Sequence, residues 1–194
     1  MISGGNIGGD VCGAESKAES SATGNEVIIS GTPTFESAYG TNIYGASTFD
    51  GEITGNKVTI SGRPVFKFND PDKNIKIYGG YVDRDGNVTG NSVEINGDMK
   101  FTEALEIYGG YGGTGAVTGN SVTISGGKMS EAVYGAYTEG SGAVTNNKVI
   151  ISGGMAEMSR EPVAGALSRG SGTVAYNSVT ATGGNFYAIF GGGR

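Results

Sequence analysis

The chain has 194 residues, of which 38 are glycine and 4 proline, with no tryptophan and no histidine. Its formal net charge is -6 and no basic stripe gathers along it, which argues against nucleic-acid binding through phosphate neutralisation. Without histidine there is neither an imidazole metal site nor a Ser-His-Asp triad, no apolar run approaches a membrane span, and the single cysteine, Cys12, excludes an internal disulfide.

Read in chain order, Met1-Ile2-Ser3-Gly4-Gly5 enters inside a phrase that later recurs, with no basic and apolar leader pattern before it. Val11-Cys12-Gly13-Ala14 opens a second recurring phrase, continued by Ile43-Tyr44-Gly45-Ala46, Ile77-Tyr78-Gly79-Gly80, Ile107-Tyr108-Gly109-Gly110, Val133-Tyr134-Gly135-Ala136, the degenerate Val163-Ala164-Gly165-Ala166, and Ile189-Phe190-Gly191-Gly192. Between these lie six copies of a phrase close to Gly-Asn-x-Val-x-Ile-Ser-Gly, beginning with Gly24-Asn25-Glu26-Val27-Ile28-Ile29-Ser30-Gly31. Its asparagines are Asn25, Asn56, Asn91, Asn120, Asn147 and Asn177, at intervals of 31, 35, 29, 27 and 30. A short third phrase precedes most of them: Ile53-Thr54, Val88-Thr89, Val117-Thr118, Val144-Thr145 and Val174-Ala175.

Each segment is short, β-branched and alternating, and is bounded by glycine, asparagine or serine, so it reads as a strand. Three strands per period without a helix suit an all-β fold, a parallel β-solenoid in which equivalent residues stack from coil to coil. The expectation is one domain over residues 1–194, with about seven coils of roughly 30 residues and three short strands each. At about 4.8 Å per coil this is a rod some 30 to 35 Å long. Val58 and Ile60 face the core while Thr59 faces out, and the glycines serve the turns and the close approach of coils.

The recurring asparagines are expected to stack as a structural ladder whose amides satisfy one another and the corner backbone. Tyr44, Tyr78, Tyr108 and Tyr134, with Phe190, form an aromatic column with two readings. It packs inward as solenoid core, or, if Ile77 faces in, alternation turns Tyr78 outward and makes the row a protein or carbohydrate contact, with Tyr39, Tyr81, Tyr111 and Tyr137 added. Cys12 occupies a tyrosine slot and reads as packing.

The phrases Val117-Thr118-Gly119-Asn120-Ser121-Val122-Thr123-Ile124-Ser125-Gly126-Gly127 and Val133-Tyr134-Gly135-Ala136-Tyr137 are similar to the repeat passenger regions of bacterial autotransporters, especially fusobacterial surface proteins. The likeness covers essentially the whole chain. It implies a right-handed parallel β-helix, an extracellular or cell-surface location, and an adhesive or structural role toward a host-surface protein or glycan receptor. The secretion signal and membrane barrel of a complete autotransporter have no counterpart in this sequence.

Neither end carries an evident polar cap, so self-association through the solenoid ends into a filament is an alternative. A second is a glycan-binding or polysaccharide-active β-helix, since Asp70 and Asp72, or Asp83 and Asp85, offer carboxylate pairs. Those aspartates do not recur with the period, and Asp83-Arg84-Asp85-Gly86-Asn87 lacks the glutamate of a calcium loop, so the expectation is no catalytic site, no metal and no cofactor. Ice binding by outward threonines ranks lower still, because that column runs Ile28, Thr59, Glu94, Thr123, Ile150 and Thr180.

Overall fold

A computed structural model describes residues 1–37, 39–67, 74–99, 105–129, 131–153, 155–158 and 161–194, and every regular element among them is a strand. One coil shows the plan. Leu105–Gly112 lies on a tyrosine-bearing sheet, Val117–Thr118 on a threonine sheet and Ser121–Ile124 on a valine-isoleucine sheet; Lys128–Met129 then forms a fourth side before Val133–Thr138 begins the next coil. Strands pair in parallel with their equivalents in neighbouring coils, as Val122 does with Val93 and Val149. This is the parallel β-solenoid expected from like stacking on like.

Two expectations need correction. The tyrosine sheet runs through seven successive strands from Val11–Cys12 to Ile189–Phe190, but the threonine and valine-isoleucine sheets hold six each. Counting phrases counts strands, and six strands bound only five turns, so about five turns replace the expected seven coils. The second correction is the fourth side, built from Asn6–Ile7, Thr34–Glu36 and Val65–Lys67 toward one end and Lys128–Met129, Met155–Met158 and Asn185–Phe186 toward the other. Its sequences vary too much to form a phrase, yet Phe35 and Phe66 are buried on it with their rings stacked at 4.8 Å, and Met99, outside any strand, is buried in the same core.

Alternation explains the core. In Ser121–Ile124, Val122 and Ile124 are buried while Ser121 and Thr123 are half-buried on the other face. The main cluster gathers Val58, Ile60, Val93, Ile95 and their equivalents against Ile43, Ile77 and Ile107 of the tyrosine sheet. A smaller cluster unites Ile53, Val88, Val117 and Val144 with Ala46, Ala136 and Ala166. The outer column Ile28, Thr59, Glu94, Thr123, Ile150 and Thr180 stacks in register as read, so its threonines do not form a continuous row.

Glycine after each tyrosine is required by close approach. A Cβ on Gly109 would sit 2.5 Å from the Gly135 carbonyl oxygen and 2.8 Å from the Ser121 nitrogen, both backbone atoms that cannot swing away. The same glycine interrupts alternation: register runs Tyr78 to Tyr108 and then Gly80 to Gly110, with no pair at Gly79. A Cβ at Gly80 would point to Ile53 and the Asn91 amide, which places Gly80 inward and lets Tyr81 face out beside Tyr78.

Candidate functional site: the asparagine ladder and the tyrosine face

All six asparagines join in one ladder with a fixed polarity. The backbone N–H and the Nδ2 of Asn91 both donate to Asn120 Oδ1, at 2.9 and 3.0 Å, and Asn120 donates likewise to Asn147 Oδ1 at 2.9 and 3.1 Å. The same pair of bonds links Asn25 to Asn56, Asn56 to Asn91 and Asn147 to Asn177. The second amide hydrogen turns back to the preceding coil, as from Asn120 Nδ2 to the Val88 carbonyl at 2.9 Å. Both donors and both oxygen lone pairs are thereby used, which is what allows Asn56, Asn91, Asn120 and Asn147 to be fully buried. Aspartate would lack the donors, and glutamine would carry the amide one methylene too far. The ladder binds coil to coil and leaves the amides of its inner rungs no spare valence for a ligand.

The tyrosines face outward, as alternation from Ile77 requires. Tyr44, Tyr78, Tyr108 and Tyr134 stack at centroid distances of 5.1, 4.9 and 5.4 Å. A second column, Tyr81, Tyr111 and Tyr137, stacks at 4.9 and 5.2 Å and meets the first edge to face. The Tyr-x-x-Tyr spacing carries the signal for this double column, once the Gly-Gly interruption restores the outward side. Tyr39, 91% exposed, is not among the stacked rings. Phe190 is in register with Ala164, which separates it from Tyr134, and it is 46% exposed, so the expected column stops before it.

Although the columns lie outside the sheet, Tyr78, Tyr108, Tyr134 and Tyr137 are only 5 to 7% exposed because neighbouring rings cover their faces. Burial is accordingly the main reason that their phenols ionise above the usual tyrosine range, with Tyr134 pushed up to about 12. Hydroxyls at the edge are tied to carboxylates: Tyr108 donates to Glu106 at 2.6 Å, Tyr137 to Glu139 at 3.0 Å and Tyr81 to Asp83 at 2.9 Å. Lys76 pairs with Glu106 at 3.1 Å. A sugar ring stacks on an aromatic face, and in the middle of these columns the faces are occupied by other tyrosines; only an end ring offers one.

The aspartates divide between different neighbours. Asp83 accepts from Tyr81, whereas Asp85 accepts from the Thr114 hydroxyl and its N–H donates to Asp50 Oδ1 at 3.2 Å. The Asp85 carbonyl also receives Gly51 N–H at 2.7 Å, so this loop is an intercoil tie. Asp70 and Asp72 lie outside the described residues. Among the described residues no group of three or more histidine, cysteine or acidic side chains is placed to hold a metal, and no helix is long and apolar enough to cross a membrane.

Comparison with protein-family models, curated proteins and solved structures gives no match for this chain. The fold by itself defines the class: a repetitive parallel β-solenoid, held together by an internal amide ladder and an external tyrosine ladder.

Proposed function

We propose that the chain is a non-enzymatic structural rod, part of an autotransporter-like passenger displayed on a bacterial surface, with an adhesive role toward a host protein or glycan. The observation that carries this reading is that the recurring side chains are used to join one coil to the next. Val and Ile fill the core, asparagine links corners and tyrosine stacks outside. Repetition of this kind favours length and stiffness over a single chemical centre. Antibody raised against the purified chain is expected to label intact cells of the organism that makes it; labelling only after permeabilisation would overturn the surface assignment. Cleavage of a polysaccharide panel, abolished by Asp83→Ala or Asp85→Ala, would overturn the non-enzymatic one.

End-to-end assembly is a second reading, favoured by the ladder's polarity. A coil placed beyond Asn177 with an amide in register would accept from it as Asn177 accepts from Asn147, and one before Asn25 would donate to it. Negative-stain microscopy over a concentration series separates the two: uniform fibres one solenoid wide support assembly, and dispersed short rods at every concentration exclude it.

A further inference from the structure

The tyrosine face ends in a step. Tyr44 is the first ring of its column and Tyr81 the first of the other; in register one coil earlier stand Cys12 beside Tyr44 and Ser47 beside Tyr81. A thiol and a hydroxyl reach only the root of the space that a further ring would occupy. A cleft of about 320 Å³ results, lined by Cys12, Tyr44, Ser47 and Tyr81, with one face of each end ring turned toward it. Asp10, Glu15 and Asp83 stand around it, and no lysine or arginine lines it. After burial, the charges of Asp10, Glu15 and Asp83, with Cys12, hold the Tyr44 phenol above its usual range, which marks a negative potential in the cleft.

The chain brings its own guanidinium groups to surroundings of this make-up. At the far wall of the same cleft, Arg84 lies 5.5 Å from the centroid of the Phe49 ring, which also lines the space, while pairing with Asp50. Past the other end of the second column, Arg169 interacts with the Tyr137 hydroxyl and the Glu139 carboxylate. Aromatic side chain and carboxylate recur at the Tyr44 cleft, where no guanidinium of the chain lines the space.

We propose that the cleft between Tyr44 and Tyr81 receives an arginine side chain of a partner polypeptide. The guanidinium lies flat on the open face of Tyr44, in the space over Cys12, and donates to the surrounding carboxylates, Glu15 foremost because it is exposed and, among the described residues, has only a loose 3.9 Å ion pair with Lys17. Asp10 is already engaged by the Asn42 backbone and amide, and Asp83 by Tyr81. Lysine is the poorer fit, since its ammonium neither stacks flat nor bonds in a fork.

The test is a titration of the isotope-labelled chain with a capped Gly-Arg-Gly peptide, followed by amide NMR shifts, beside its lysine and citrulline counterparts. Expected is saturable binding in the millimolar range, with shifts centred on Cys12, Tyr44, Ser47 and Tyr81, about threefold or more weaker for lysine and absent for citrulline. Cys12→Tyr fills the space with the chain's own ring and should abolish binding. Glu15→Gln combined with Asp83→Asn, both at exposed positions, should weaken it by about fivefold or more. Absence of saturable shifts in the parent chain, equal response to citrulline, or undiminished affinity in the Glu15→Gln, Asp83→Asn variant overturns the proposal.

Discussion

Replacing Asn120 by leucine tests the ladder at one of its fully buried rungs. The side chain is lost but its volume is roughly kept, so the effect isolates hydrogen bonding. Asn91 N–H and Asn91 Nδ2 then lose their shared acceptor, and both belong to a fully buried residue. Stranding two buried donors costs about 1–3 kcal/mol each, hence about 2–6 kcal/mol in all, while the Val88 carbonyl and Asn147 Oδ1 each lose one donor at smaller cost. For a chain of this length that corresponds to a fall in Tm of roughly 4–24 °C, read by far-ultraviolet circular dichroism. Polarity supplies the internal control. In Asn25→Leu only acceptors are stranded, Thr23 O and Asn56 Oδ1, at a half-exposed corner, so the loss should stay within about 1 kcal/mol. Asn120→Asp should be worse than leucine, because an acceptor would then face the Val88 carbonyl and Asn147 Oδ1. Equal melting of the Asn25→Leu and Asn120→Leu variants, or an Asn120→Leu variant that melts with the parent, would refute the reasoning.

Three further outcomes are expected. Thr41 stands in the inward column with Ile75 and Leu105, and among the described residues its hydroxyl is buried without a partner, so Thr41→Val should stabilise by about 1 kcal/mol in denaturant titration; a loss of stability would reveal a bond to that hydroxyl. Tyr176 adopts φ 58° at the corner where Gly24, Gly55, Gly90 and Gly119 take 64 to 69°, and it is 85% exposed. Tyr176→Gly should therefore relieve strain and raise Tm by roughly 1–4 °C, whereas a lower Tm would mean that the ring contributes packing. The tyrosine columns should make the fold sensitive to alkali. Folding raises the ionisation of Tyr134 to about 12 and that of Tyr78 and Tyr108 further, so their contribution is full below the ordinary value of about 10 and is lost as pH climbs through the folded values. Phenolate absorbance and loss of β-sheet dichroism should rise together above about pH 10, and ionisation of all tyrosines with the fold intact would exclude the linkage.

Much of the architecture was legible because a solenoid turns local repetition into long-range contact. Val93, Val122 and Val149 recur in the sequence and therefore stack in space, and the six asparagines meet for the same reason. The irregular side carrying Phe35 and Phe66 was not legible, since a single bulky residue at a drifting position satisfies the core without leaving a phrase. Alternation placed Tyr78 outward only conditionally, because the glycines after it permit either side.

The sequence by itself determined the period, the strands, the inward valines and isoleucines, and the stacking of the six repeat asparagines on one another, all properties of residues that repeat. Tertiary structure alone decided that Tyr81, Tyr111 and Tyr137 form a second column, that Ala164 cuts Phe190 off, and that a cleft opens where Cys12 and Ser47 precede Tyr44 and Tyr81. The physical reason is that a ring's free face depends on what lies one coil away and on which side of the sheet each backbone interruption leaves it. Both are set by the stacking of coils, through contacts that no single repeat contains.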